Sequence, residues 1–70
     1  MKISARNSIP GTVLDIERGS VNAQVTLAIA PGINIVSIIT LDSLANLELK
    51  EGQKAFAVIK ASSVMVGVDA

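Results

Sequence analysis

The stretch Ile35-Val36-Ser37-Ile38-Ile39-Thr40-Leu41-Asp42-Ser43, which continues to Leu47, decides how the rest of the chain is arranged. Its apolar run predicts a buried strand, and the strand meets a helix start at which Thr40 is the expected N-cap residue. Ser43 then falls at the third helical position, so two hydroxyls and several unpaired backbone N–H groups point toward one place. Such a group attracts anions, although the same residues also suit an ordinary cap with Ser43 facing water.

The segment before this stretch begins with one long predicted strand. Residues 1–17 are expected to be extended, with a bend or bulge at Pro10-Gly11 because proline rarely occupies a central ladder position. After the bend, Thr12, Leu14 and Ile16 are expected on one face of the strand.

The remaining pattern predicts four more strands and one short helix. Residues 20–30 alternate apolar and polar side chains, which is typical of a half-buried antiparallel strand. The strand Ile33–Ile39 is apolar on both faces, which indicates burial on both sides. After the helix, strands are predicted at Gln53–Ile59 and Val64–Val68. The order β-β-β-α-β-β indicates an all-β fold, a five-stranded OB-like Greek-key barrel with the helix between strands 3 and 4.

Composition narrows the class of protein and its partners. Seventy residues predict a single domain, residues 1–70, with a small core, and Phe56 is the only aromatic residue and is expected in that core. Because half of the residues are hydrophobic, we expect another copy to cover the surplus apolar surface in a homo-oligomer. Zero net charge argues against nucleic acid and membrane as partners. Without an apolar leader segment, the chain is expected in the cytoplasm.

Three polar clusters interrupt the apolar sequence: Ser4-Ala5-Arg6-Asn7, Thr40 with Ser43, and Lys60-Ala61-Ser62-Ser63. They are rich in hydrogen-bond donors, and Asp42 is the one carboxylate near them. A dianion such as sulfate or molybdate needs only donors, whereas hydrogen phosphate also needs an acceptor for its proton. The clusters therefore favour a fully ionised oxyanion, and solvated surface cations are the competing interpretation of Arg6 and Lys60.

The residue types argue for binding without catalysis. The chain has no His, Tyr or Cys, no nucleophile motif and no phosphate-binding glycine loop, so we expect a protein that is not an enzyme. Without Cys and His the usual zinc and iron–sulfur sites are excluded, and no cofactor is expected. An OB-like module for nucleic acid or protein is an alternative, although a single aromatic residue cannot form a base-stacking platform.

The opening Ser4-Ala5-Arg6-Asn7, followed by Ile9, Gly11 and Val13, resembles the molbindin or Mop family of small molybdate-binding proteins. Three later blocks, residues 37–43, 49–52 and 57–65, are similar to that family as well. The resemblance implies an OB-like fold and a homohexamer built as a trimer of dimers, which stores molybdate or tungstate between its subunits in the cytoplasm. A molybdate-sensing domain cut from a transporter ATPase or regulator is an alternative, and the start at Met1 favours a complete small protein over it.

The resemblance also implies which residues contact the ligand. The implied oxyanion contacts are Ser4, Ala5, Arg6, Thr40, Ser43, Lys60 and Ala61, and weaker candidates for a second site are Ser20, Val21 and Ser62. Three positions depart from the family pattern, namely Pro10, Val36 and Gln24. They lie outside the polar clusters, so they concern strand geometry more than anion binding.

Overall fold

A four-stranded antiparallel sheet and one short helix make up most of the fold. The computed structural model describes residues 1–69. The strands are β1 (Asn7–Arg18), β2 (Asn22–Ala30), β3 (Ile33–Thr40) and β4 (Lys54–Ile59), and the helix is α1 (Leu41–Asn46). A 3-10 helix, Ala61–Ser63, follows β4. The strands lie in the order β3-β2-β1-β4, so β3 and β4 form the two edges of the sheet.

β1 joins the two halves of the sheet because it pairs with two neighbours in succession. Residues 7–12 pair with residues 54–59 of β4, and residues 12–18 pair with residues 23–28 of β2. The hydrogen bonding between the two halves therefore runs through β1. The strand begins at residue 7 and not at residue 1 as the sequence predicts.

Pro10 lies in a regular part of β1 opposite Phe56 of β4, so the bulge is not at Pro10-Gly11, where the sequence predicts a bend or bulge. Proline fits here because β2 pairs with β1 only from Thr12 onward, so no ladder bond to β2 is lost at this position. The irregularity in β1 is a bulge between Val13 and Asp15.

The bulge changes which side chains of β1 face the core. Val13 is 1% exposed and Leu14 is 54% exposed, while Ile16 packs against the core from a half-buried position. The expectation that Leu14 and Ile16 share a face with Thr12 is therefore wrong, because the extra residue of a bulge interrupts the strict alternation of a strand.

The core consists of six buried apolar side chains, Val13, Ala23, Val25, Leu27, Leu44 and Ala57. Three of them lie on β2, as its alternating pattern predicts, and Leu44 is supplied by α1. Burying a side chain the size of Val or Leu stabilises a fold by about 1.5–3 kcal/mol. Because the core contains so few residues, it contributes little to the free energy of unfolding. Phe56 is 55% exposed, which corrects its predicted place in the core.

A Schellman motif ends α1 after less than two turns. The N–H of Leu49 donates to the carbonyl of Leu44 at 3.4 Å, and the N–H of Glu48 donates to the carbonyl of Ala45 at 3.1 Å. Glu48 occupies the left-handed position that glycine usually takes, with φ of 51°. The motif turns Leu49 back toward the core, whereas Leu47, three residues after the buried Leu44, is 60% exposed. Within residues 1–69 no helix is long and apolar enough to cross a membrane.

The segment after the 3-10 helix is not the fifth strand that the sequence predicts. Residues 64–68 pair with no strand of the described chain, and Met65, Val66 and Val68 are 94%, 90% and 89% exposed. Val64 has the extended backbone of a strand residue, with φ of −91° and ψ of 121°. The segment has the composition of a strand and Val64 has its backbone conformation, but a strand also requires a neighbouring edge to pair with.

Gly11 lies where β1 approaches β2 most closely. A Cβ atom at this position would lie 2.8 Å from the carbonyl oxygen of Ala28 and 3.1 Å from Cγ2 of Ile29. The first contact is with backbone, which cannot turn away as a flexible side chain would. Glycine at this position therefore permits β1 to pass from β4 to β2.

We expect Gly11→Ala to lower the free energy of unfolding by about 1–3 kcal/mol, the usual cost of overpacking a close contact. Lys50→Ala is the control, since Lys50 is an exposed turn residue that does not line the groove between β3 and β4. Chemical denaturation of both variants at one protein concentration measures the difference. Equal stability of Gly11→Ala and wild type would contradict the close approach of β1 and β2.

Candidate functional site

Arg6 and Lys60 lie beside each other at one end of the sheet. The last residue pair between β1 and β4 is Asn7 opposite Ile59, so Arg6 precedes the pair on one strand and Lys60 follows it on the other. The side-chain amide nitrogen of Asn7 donates a hydrogen bond of 3.3 Å to the carbonyl oxygen of Ile59. These pairings bring the N-terminal cluster and the segment Lys60-Ala61-Ser62-Ser63 into one neighbourhood.

The 3-10 helix gives the second half of this neighbourhood its shape. The N–H of Ser63 donates to the carbonyl of Lys60 at 2.9 Å, and the N–H of Val64 donates to the carbonyl of Ala61 at 3.3 Å. The Lys60 side chain makes no capping hydrogen bond to this turn, and the residue is exposed. Its ammonium group can therefore contact a ligand without first breaking a bond to the turn.

Thr40 and Ser43 form the second polar cluster at the start of α1. The Thr40 hydroxyl oxygen accepts a 3.0 Å hydrogen bond from the backbone N–H of Ser43 and donates a 2.9 Å bond to the Ser43 hydroxyl. The predicted N-cap is confirmed. Because the Thr40 proton is used within the pair, the Ser43 hydroxyl proton is the one that can point outward to a ligand.

The weaker candidates Ser20 and Val21 lie beside the Thr40 cluster. The carbonyl of Val21 accepts a 3.0 Å hydrogen bond from the N–H of Leu41, the first residue of α1. Ser62, the other weak candidate, belongs to the 3-10 helix beside Lys60. The second set of predicted contacts is thus divided between the same two places as the first.

The two polar clusters lie at opposite ends of β1. Arg6 and Lys60 adjoin its first residue, whereas Thr40 pairs with Asn22 of β2, next to the turn that follows Arg18 at the other end. A straight strand of this length spans roughly 35 Å. One chain therefore holds two separate groups of predicted contacts. The first is Ser4, Ala5, Arg6, Lys60, Ala61 and Ser62, and the second is Thr40, Ser43, Ser20 and Val21.

Two grooves in the surface contain none of these residues. One, of about 940 Å³, lies beside α1 and is lined by residues that include Arg18, Leu44 and Lys50. The other, of about 360 Å³, lies between the sheet edges β3 and β4. Among residues 1–69 no three His, Cys, Asp or Glu side chains are grouped to hold a metal ion. Arg6, Thr40 and Lys60 are exposed, so each predicted cluster presents donors at the surface.

Asn7 is a residue of this region to which the sequence pattern assigned no role. Its side chain reaches across the strand pair to a residue 52 positions away in the chain. That Asn7 follows Arg6 is visible in the sequence. The carbonyl that its side chain contacts depends on the register of β1 and β4.

The sequence model of the TOBE domain family matches residues 3–66 of the chain. The chain belongs to the TOBE-domain family. A protein of Haemophilus influenzae named probable molybdenum-pterin-binding protein is 51% identical over 69 residues, which cover 99% of this chain and 100% of that protein.

Two solved structures, one of a Mop protein and one of a molybdate-binding protein, have the same fold. MopII from Clostridium pasteurianum superposes with a TM-score of 0.88 at 46% identity, covering 96% of this chain and 100% of that one. The cytoplasmic molybdate-binding protein ModG, in a form with molybdate bound, gives a TM-score of 0.91 at 52% identity over 99% of this chain and 49% of its own. The resemblance to the Mop family is confirmed, and the mostly β fold with a short helix is that of OB-like molybdate-binding proteins.

We expect Thr40→Val to lower the free energy of unfolding by about 0.5–2 kcal/mol, because the variant keeps the shape of the side chain and loses the N-cap oxygen. Thr40→Ser keeps that oxygen and should stay near wild type. Thermal or urea unfolding of the three proteins at equal concentration gives the comparison. A Thr40→Val protein as stable as wild type would show that the cap contributes nothing to the fold.

Proposed function

We propose that this chain is a non-enzymatic binding protein that holds molybdate or tungstate as the intact oxyanion and stores it in the cytoplasm. Residues 1–70 act as one binding domain, and no cofactor takes part. The observation that carries the proposal is the placement of Arg6 and Lys60 immediately beyond the last residue pair of β1 and β4, one on each strand. In a chain 52% identical to a protein solved with molybdate bound, this pair of cations is the natural anchor for the anion.

The chemistry of the two clusters favours a dianion that carries no proton. The Arg6 and Lys60 side chains and the Ser4 and Ser43 hydroxyls can all donate hydrogen bonds, and cationic donors make the strongest of them. Asp42, the one carboxylate next to Thr40, is an exposed residue in the first turn of α1. Hydrogen phosphate would need an acceptor for its proton, whereas molybdate and tungstate need none.

A complete site requires two copies of the chain. The cations and the Thr40 cluster lie at opposite ends of β1, so one anion cannot contact both within a single chain. When the start of β1 in one copy packs against the start of α1 in another, the cations of the first copy and the Thr40 cluster of the second meet at the same interface. We place the oxyanion at such interfaces between subunits, in a homohexamer arranged as a trimer of dimers.

Exposed apolar surface supports the assembly. On the outer face of β3, Val36 and Ile38 are 56% and 60% exposed, and in the apolar segment 64–68 the side chains of Met65, Val66 and Val68 are almost fully exposed. The groove between β3 and β4 is lined largely by apolar side chains from both edges, including Ile39, Ala55 and Val58. We propose that segment 64–68 from another copy fills this groove as the fifth strand of the barrel.

A nucleic-acid module is the weaker candidate function. Net charge is zero, and the single aromatic residue, Phe56, is exposed but has no second aromatic beside it on which bases could stack. Binding to single-stranded DNA at low salt, with strong salt dependence, would favour this alternative over oxyanion storage.

We expect Lys60→Ala to weaken molybdate binding by about 1.5–3 kcal/mol per site, the range for a hydrogen bond to a charged group, while the oligomer stays intact. Lys50→Ala is the control, since Lys50 is an exposed lysine in the turn after α1 and lies outside both polar clusters and the groove between β3 and β4. Calorimetric titration with molybdate, sulfate and phosphate measures affinity and selectivity. Phosphate should bind poorly for lack of an acceptor, and sulfate should bind less well because its shorter bonds leave it under-coordinated. Unchanged molybdate affinity in Lys60→Ala, or equal affinity for phosphate in wild type, would contradict the site.

Wild type should sediment as a hexamer with little folded monomer at micromolar concentration. Val66→Asp should dissociate it, because an unpaired charge buried between subunits costs several kcal/mol, as breaking a buried ion pair does at about 3–5 kcal/mol. Asn46→Asp adds the same charge at the exposed end of α1, away from the groove between β3 and β4, and should leave the hexamer whole. Sedimentation velocity distinguishes these states, and a stable wild-type monomer would exclude the proposed assembly.

A further inference from the structure

We propose that Asn7 is a positioning residue for oxyanion binding, which holds Arg6 and Lys60 close enough to contact one anion. This inference rests on the proposed function. Asn7 is half-buried, and its side-chain amide donates the 3.3 Å hydrogen bond to the carbonyl of Ile59 described above. It does not have to touch the anion in order to act, because its partner is backbone.

The position of this hydrogen bond in the sheet allows it to affect the separation of the two cations. Asn7 and Ile59 are the final pair between β1 and β4, and the two cations are the next residues on their strands. Opposite residues in an antiparallel pair have Cα atoms about 4.5–5.5 Å apart. The separation of the Arg6 and Lys60 backbones is therefore set by how well this last pair stays closed.

Two physical effects tend to open the pair when no anion is bound. Residues at the ends of strands open more readily than those in the middle, because only one side of the pair is held by further ladder bonds. Arg6 and Lys60 also carry like charges, which repel each other across this short distance. The Asn7 side chain adds a hydrogen bond across the pair that does not belong to the backbone ladder, and so opposes both effects.

The carboxamide suits this role better than a charged group of the same shape. It supplies a donor to the Ile59 carbonyl and adds no charge beside the two cations. An aspartate in its place could only accept hydrogen bonds, so it would lose the bond to the carbonyl and would pair with Arg6 or Lys60. The cations would then be occupied by a carboxylate that competes with the anion.

The test compares Asn7→Ala with Asn34→Ala, an exposed strand asparagine on β3 whose side chain makes no hydrogen bond within the described chain. Calorimetric titration with sodium molybdate should show about three- to ten-fold weaker binding for Asn7→Ala, the equivalent of one net hydrogen bond, and unchanged binding for Asn34→Ala. Asn7→Asp should bind more weakly than Asn7→Ala. Amide hydrogen exchange, followed by NMR, should be faster at residues 59–61 in Asn7→Ala and unchanged at Val13 and Val25.

Each outcome bears on a separate claim. Molybdate affinity in Asn7→Ala equal to wild type overturns the positioning role, whatever its exchange rates. Loss of exchange protection at Val13 and Val25 also overturns it, because Asn7 would then support the whole fold and not the site. If wild type itself binds neither molybdate nor tungstate, the proposed function fails, and the positioning role for oxyanion binding fails with it.

Discussion

The hydrogen bonds that β1 makes to β4 and then to β2 are the constraint on which the rest of the structure depends. They place the two cations at one end of the sheet and the Thr40 hydroxyl cluster near the other. They also require Gly11 at the point of transfer, where no Cβ atom fits against the Ala28 carbonyl. A single twelve-residue strand thus sets both the shape of the core and the distance between the two groups of residues that we propose for ligand binding.

Much of the fold follows from local sequence, and the exceptions have a common cause. The alternation in β2, the Pro31-Gly32 turn with Gly32 at φ of 73°, and the Thr40 cap are all formed by neighbours in the chain. The bulge after Val13 and the exposure of Phe56 depend instead on which residues of a distant strand lie opposite. Alternation in the sequence of β1 looks regular through the bulge, so no local signal marks it. The same holds for segment 64–68, whose sequence is that of a strand but whose partner is not local.

The candidate site divides in the same way. The residue types of the three polar clusters were enough to identify a surplus of hydrogen-bond donors, with Asp42 as the one nearby carboxylate. The neighbourhood of Arg6 and Lys60 follows from the pairing of β1 with β4. The separation of Thr40 from those cations requires the register of three strand pairs, which no local pattern encodes. The role of Asn7 is harder still to predict, because its hydrogen bond depends on one side-chain direction at the last pair of a ladder.

The groove between β3 and β4 bears on how newly synthesised chains associate. Both edges carry backbone groups ready to pair, and segment 64–68 is uncharged and rich in valine, so each new chain holds both an acceptor edge and a strand to donate. If copies donate strands in one direction only, the result is an open fibre, whereas reciprocal exchange closes the assembly. If segment 64–68 pairs between copies as proposed, the geometry with which the first two copies meet decides between a closed assembly and an open fibre.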